Sequence, residues 1–328
     1  MKPLASIILV SYNQEKFIID ALKSATSQTY KNLEIIASDD ASTDRTYELI
    51  SSFKSQYNGP HKLIINQNTS NLGVGGNYAK ATSLTRGELI FVAGGDDISL
   101  PHRVETVMNF WLSKEKKYHL IACDLIDMDE NGNDLGITKV SNLYLYKSSS
   151  DWIKSPPHVI GAAHAWTREL YDMFNGFPQG IIGEDLIISF RAILTNSATH
   201  LPLPLVRYRR GGLSTPKKAL SPQQVIHGLV KKTKSSHLEW LTMMNDAEKL
   251  HAPPETISYL ESKMQRESFI ETVFIKKKPW SALLTHRKLH TSFKLRILTY
   301  HLAPWLAWPL FQLKILKYRL KNALPKKN

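Results

Sequence analysis

Four apolar runs of strand type recur at regular intervals in the first hundred residues, and this recurrence limits the chain to few architectures. They are residues 4–10 (LASIILV), 33–37 (LEIIA), 63–65 and 89–93 (LIFVA). Continuous apolar runs are expected of strands buried on both faces. Helical spacing separates them. Phe17, Ile18, Ala21, Leu22 and Ala25 share one face, as do Tyr47, Ile50 and Phe53, and residues 77–84 form a third, shorter helix. Strands alternating with helices through residue 115 predict a parallel α/β sheet. Ligands of such sheets bind outside the carboxyl ends of the strands. Residues 11–13, 39–44 and 94–97 are polar clusters, and each follows a strand-type run.

The most loaded cluster closes residues 88–98, ELIFVAGGDDI. Asp96 and Asp97 are adjacent carboxylates, which repel each other unless a cation or solvent takes up the charge. Gly94 and Gly95 let a bulky group approach the backbone. Two readings follow: a divalent-metal site for a phosphorylated ligand, or a polar turn after a core strand. Convergence with the other two clusters favours the site. Asn13 is placed to cap the first helix.

Further along, Pro101 opens a helix to Ser113. Residues 119–125, 160–166 and 199–209 read as strands, 129–133 as a hairpin signal, 141–157 as a loop, and 168–174 and 186–194 as helices. Composition changes at 214–222, a domain boundary. Residues 1–214 carry 21 Lys+Arg against 22 Asp+Glu, a net of −1, whereas 215–328 carry 21 against 7, a net of +14. Such asymmetry points to a tail that meets an anionic surface, membrane or nucleic acid. Helices are expected over 222–250, 255–276 and 279–290. Residues 297–313 are apolar, with two tryptophans and two prolines, and precede a run of Lys and Arg. Trp and Tyr beside Lys/Arg suit a membrane interface; the alternative is a helical pair with a solvated basic face. No run reaches the ~20 clean apolar residues of a spanning helix. The N-terminal apolar run, about seven residues with no cleavage pattern, is a strand and not a signal peptide. The single cysteine, Cys123, excludes an intramolecular disulfide or a cysteine zinc cluster and reads as a core thiol.

Five stretches in order carry a resemblance across residues 4–214. SIILVSYN at 6–13, SDDASTD at 38–44, VAGGDD at 92–97, GEDLIISFRA at 183–192 and YRRGGLS at 208–214 together resemble the motifs of glycosyltransferase family 2, of the bacterial surface-polysaccharide and lipopolysaccharide type. The resemblance implies a GT-A nucleotide-diphospho-sugar transferase fold. This is an α/β, Rossmann-like mixed sheet flanked by helices, here with a basic helical C-terminal extension. It divides residues 1–214 into a nucleotide-sugar half (1–115) and an acceptor half (116–214), followed by the helical region 215–328. Two positions depart from the pattern. Ala41 stands where glycine is usual, and Gly94 where the first Asp of Asp-x-Asp is often found.

The resemblance also assigns roles. Ser11, Tyr12, Asn13, Asp39, Asp40, Asn71, Gly75 and Gly95 would line the donor pocket, with Tyr12 stacking on the base and Asp39 accepting from the uracil or ribose. Asp96 would hold Mn2+ or Mg2+ together with donor phosphates. A single carboxylate suffices for ions that keep several waters. Arg209 and Arg210 would join the phosphates, since guanidinium groups suit phosphate oxygens; a solvated basic turn is the alternative. Asp185, with Glu184 as second choice, would deprotonate the acceptor hydroxyl; a plain helix cap is the alternative. Asp97, His164 and Trp166 would face the acceptor, with Trp166 equally readable as core.

The expected function is inverting, metal-dependent transfer of a hexosyl or N-acetylhexosaminyl group from a nucleotide-diphosphate donor, a UDP-sugar, to a glycan or lipid-linked acceptor. The expected location is the cytoplasmic membrane's inner face, with residues 291–328 on anionic lipid. A non-catalytic nucleotide-sugar binding or scaffold protein is the alternative, with Gly94 its best support. Nucleic-acid binding is disfavoured, because the tail's aromatics cluster with Leu and Pro instead of interleaving with Lys/Arg.

Overall fold

Three of the apolar runs become the centre of one sheet. The computed structural model describes residues 2–210, 221–309 and 311–312. Strand β1 (Ala5–Ser11) is buried at every residue but Val10. It is flanked in parallel by β2 (Leu33–Asp39) and β4 (Leu89–Gly94), and β3 (Lys62–Gln67) pairs in parallel with β2. Between these strands run α1 (Ile18–Thr26), α2 (Thr46–Gln56) and α3 (Gly73–Ser83).

The second half of the sheet is mixed. The short β5 (Ile98–Ser99) and α4 (Arg103–Ser113) precede a hairpin of β6 (Leu120–Met128) and β7 (Asp134–Thr138). Helix α5 (Ser149–Lys154), β8 (His164–Thr167), α6 (Arg168–Met173), α7 (Glu184–Leu194) and β9 (Ala198–Arg209) follow. Strand order is β3-β2-β1-β4-β8-β6-β9-β5, with β7 on the side of β6. Strand β8 is antiparallel to both β4 and β6. Strand β9 is parallel to β6 and antiparallel to β5. The sheet thus has a parallel half followed by a mixed half.

Local physics explains where sequence expectations shift. Residues 141–157 read as a loop but contain α5, which starts with a capping box between Ser148 and Asp151. Its Trp152 is fully buried, edge-on to Phe190 at 5.0 Å between centroids. One large apolar anchor outweighs a stretch rich in Ser and Pro. The strand expected over 160–166 is shorter, because Gly161–Ala163 forms a 3-10 turn. Helix α3 starts at Gly73, four residues ahead of expectation, after a left-handed turn (φ +74°) that glycine accommodates. Asn13 does not cap α1. It adopts φ +52° and its Oδ1 accepts from the Thr43 amide at 2.8 Å.

The C-terminal helices are α8 (Pro222–Lys249), α9 (Pro254–Ile270), α10 (Pro279–Thr285) and α11 (Thr291–Leu302), with a π-type turn at Glu271–Ile275. The helices expected over 255–276 and 279–290 therefore end early, at Ile270 and Thr285, and a separate helix begins at Thr291. Residues 211–220 and the basic run from Lys314 to Lys327 lie outside the described residues. The chain divides into two compact units, residues 1–215 with 245–257, and residues 216–244 with 258–328. The tip of the α8–α9 helical pair thus belongs to the first unit. Buried Asp246 accepts from Arg191 Nε at 2.7 Å there, and Thr256 meets Ser149 at 2.8 Å. The second unit has its own core of Phe269, Ile270, Val273, Ala282, Leu289, Ile297 and Leu298.

Candidate active site

Register brings the polar clusters together. Ser11 stands opposite Asp39, and Val10 opposite Gly94, so the segments after β1, β2 and β4 leave the sheet side by side at its carboxyl edge. The 11–13 and 39–44 turns are then laced. Asp39, fully buried, accepts from the Ser42 amide at 2.9 Å, and the Asn13 amide donates to Ser42 Oγ at 2.9 Å. Ala41 takes φ +57°, the left-handed conformation that explains why glycine is usual there. Asp40 is also buried and accepts from Asn68 Nδ2 and the Leu72 amide, both at 2.8 Å, so it holds the following loop. Asn71 is exposed and caps Gly73 through its Oδ1 at 3.0 Å. Tyr12, just after β1, remains 41% exposed. Gly75 donates to the Ile181 carbonyl at 3.1 Å, and a Cβ there would meet Ile181 Cγ1 at 2.3 Å. Its role is thus to let the 181–183 segment close on α3.

The glycine pair makes room for carboxylates. A Cβ on Gly94 would lie 2.7 Å from Asp97 Oδ2 and 3.0 Å from Asp96 Oδ1. A Cβ on Gly95 would meet Ser11 Cβ at 2.9 Å. Asp97 is buried and accepts from the Arg209 amide at 3.0 Å. Burial, and then the Asp96 carboxylate, push its pKa up to about 8. Burial also raises Asp96, with Arg209 and Gln14 pulling the other way. Two acids that resist ionising together form a donor set that a divalent cation would relieve. Among the described residues, no three His, Cys, Asp or Glu side chains are grouped to hold a metal alone. The set therefore fits an ion that draws its remaining ligands from elsewhere, and Asp96 is the less buried of the pair.

Helix α7 brings the second acidic pair. Glu184 is buried, is bonded by the Tyr78 hydroxyl, and packs where a Cβ on Gly161 would sit 2.5 Å from its Oε1. Burial, and then Glu184, Asp185 and Asp97, hold the Tyr78 hydroxyl well above the usual phenol range, so it stays a donor. Asp97 acts on the same hydroxyl although it is far from the other two in sequence. Asp185 is only half-buried, and its Oδ1 accepts from the Leu186 amide at 2.7 Å.

Three sequence expectations are corrected. Trp166 and His164 are both fully buried in the sheet, so neither offers a face to a sugar. Trp166 packs on Tyr78 and Phe177. Burial, and then Arg103, hold the His164 imidazole down at a pKa of about 3. The Arg209 guanidinium is committed to the protein. Its Nε and Nη1 donate to the carbonyls of Asp96 (3.0 Å), Asp129 (3.0 Å) and Glu130 (2.8 Å), and it stacks 4.2 Å from the Phe17 centroid. Arg210 is ion-paired with Asp127 but keeps a side chain 55% exposed, so the structure does not commit it as it does Arg209. Arg209 fixes the carboxylate loop instead of contacting phosphate.

Arg103 and Tyr78 went unnoticed in the sequence. Fully buried, Arg103 donates from Nη1 to the Val92 carbonyl (2.8 Å) and Ser99 Oγ (2.9 Å), and from Nη2 to the Ala162 (2.7 Å) and His164 (3.2 Å) carbonyls. It clips the strand before the glycines to the turn beneath Glu184. A Pro followed two residues later by Arg gives no hint of a buried cation; only burial distinguishes it from a solvated helix start.

With this geometry in hand, comparisons with known proteins are decisive at the level of family. The family model described as Glycosyl transferase family 2 matches residues 6–172, and the chain belongs to that family of transferases. EpsE of Bacillus subtilis is 35% identical over 130 residues, 40% of this chain and 46% of EpsE. Abequosyltransferase RfbV of Salmonella typhimurium is 29% identical over 155 residues, 45% of each chain. The chain spans less than half the length of these relatives. Among solved structures, S. aureus TarS 1-349 in complex with UDP-GlcNAc superposes with a TM-score of 0.59 at 16% identity, covering 96% of this chain and 92% of that one. Mannosyltransferase PcManGT of Pyrobaculum calidifontis, solved with GDP-Man and Mn2+, gives 0.51 at 17% identity, covering 100% and 89%. These likenesses establish the GT-A fold.

Proposed function

We propose that the protein transfers a hexosyl or N-acetylhexosaminyl group, with inversion, from a UDP-sugar to a glycan or lipid-linked acceptor in surface-polysaccharide assembly. The observation that carries this reading is that register brings Asp39 and the Gly94–Asp97 turn out side by side at the carboxyl edge of the sheet, with Glu184 bonded by the Tyr78 hydroxyl. Residues 11–13, 39–40, 71 and 75 bind the nucleoside. Asp96 holds Mn2+ or Mg2+ with donor phosphates, and the bound ion supplies Lewis-acid stabilisation of the leaving diphosphate. Asp185 takes the acceptor proton, being less buried than Glu184, whose carboxylate is engaged by Tyr78. Asp97 stays with the acceptor side. The C-terminal region, including residues 291–328, rests on the inner face of the cytoplasmic membrane. Among the described residues no helix is long and apolar enough to cross it.

Gly94 in place of an acid favours a second reading, a nucleotide-sugar binder without turnover. Donor turnover in Asp185→Ala and Asp96→Ala separates the two. Loss of general-base help lowers kcat by about 10²–10⁴-fold, and Asp96→Ala removes the Mn2+ dependence. Unchanged transfer in both variants refutes the site; donor binding without turnover in the parent protein favours the second reading.

A further inference from the structure

The second unit is strongly cationic. Residues 216–244 and 258–328 hold 20 Lys+Arg against 4 Asp+Glu, a net of 20 − 4 = +16, and no acid follows Glu271. Within this unit a cleft of about 530 Å³ opens where α9, the segment after α10 and the first turn of α11 meet. Arg266, Lys288, His290, Ser292, Phe293 and Arg296 line it. Both guanidinium groups lie over the Phe293 ring, Arg266 at 4.6 Å and Arg296 at 5.7 Å from its centroid. No carboxylate is among the lining residues. Arg266 and Arg296 also line an adjoining cleft of about 300 Å³, which Glu267 shares. The segments outside the described residues contain no Asp or Glu to fill the gap.

Three cations in one cleft repel each other, and an anion removes that cost. Guanidinium forks match phosphate oxygens in pairs, and a lysine adds a point charge. The positive end of α11 faces the same place. A volume of this size accepts a headgroup-sized ligand.

We propose that this cleft receives the phosphoryl group of an anionic lipid headgroup. The proposal rests on the reading of the C-terminal region as membrane-facing. The same unit argues for lipid over a soluble phosphate. Leu295 and Leu302, seven residues apart on one stripe of α11, are 59% and 52% exposed. Trp280, Trp305 and Trp308 are 67%, 70% and 47% exposed. Exposed Trp and Leu with Lys/Arg suit an interfacial position.

The test is vesicle sedimentation of the full chain. Phosphatidylcholine vesicles containing phosphatidylglycerol are compared with vesicles brought to the same zeta potential by oleate, a carboxylate. A cleft that encloses the headgroup phosphoryl group retains more protein on the first vesicles than on the second at equal surface potential. Arg266→Gln/Lys288→Gln abolishes that preference, whereas Lys276→Gln/Lys277→Gln, the same charge change outside the cleft, keeps it. Lys288→Gln alone, at an exposed position, reduces the preference and guards against misfolding of the double variant. Equal binding to both vesicle types overturns the cleft and leaves the membrane reading intact. Binding to neither overturns both. Saturable binding of inorganic phosphate without any vesicle preference overturns the lipid assignment.

Discussion

Replacing Arg103 tests whether the carboxylate strand is held by a buried cation. Arg103→Met keeps the unbranched stem and removes the guanidinium. Three carbonyls, of Val92, Ala162 and His164, then lose a charged donor inside the fold. Each buried acceptor left unmet costs about 1 kcal/mol at the low end of the usual range, so the loss is about 3 kcal/mol. For a unit of this size that lowers Tm by about 6–12 °C. Arg103→Lys retains the charge with fewer directed bonds, and should lose about half as much. Differential scanning calorimetry reads both. Donor affinity, followed by titration with UDP, should weaken in the same order, because Val92 precedes the glycine pair and Ala162 adjoins the turn beneath Glu184. A Met variant within about 2 °C of the parent would mean that the carbonyls find other partners and that the clip is incidental.

Two further predictions follow from backbone strain and burial. Ala41→Gly relieves a left-handed φ of +57° and should raise stability by about 0.5–1 kcal/mol after the entropy of glycine is discounted, with donor affinity unchanged; a lower Tm would refute it. His164 has a folded pKa of about 3 against an ordinary value of 6.5. The folded state keeps it neutral, so below pH 6.5 the unfolded chain takes up a proton that the folded chain refuses, and stability falls as pH falls. From pH 6.5 to 4.5 the parent should lose about 2 kcal/mol more than His164→Asn. Parallel pH profiles of denaturant midpoints would contradict this.

The parallel half of the sheet was legible because its strands are continuous apolar runs and their helices keep a 3.6-residue spacing. Asp39, Asp96 and Asp185 were found as polar residues at strand or helix ends. Trp166 and His164 were misjudged for a physical reason. An aromatic on a short strand looks the same whether it faces ligand or core, and only the packing of Tyr78 and Phe177 against it decides. Arg209 was misjudged similarly. An arginine beside a predicted phosphate site looks like a ligand until three backbone carbonyls claim it.

Sequence alone determined the family, the α/β alternation, the basic final third and the carboxyl-edge location of the acidic clusters, because these depend on local periodicity and residue type. Tertiary structure decided which acids share one environment. Asp97 and Glu184 lie far apart in the chain, and only the fold lets both carboxylates raise the Tyr78 hydroxyl. It also decided which cations are committed to the protein, Arg103 and Arg209, and which line an acid-free cleft, Arg266, Lys288 and Arg296. A side chain's charge is written in the sequence, but its desolvation and its partners depend on contacts that only folding makes.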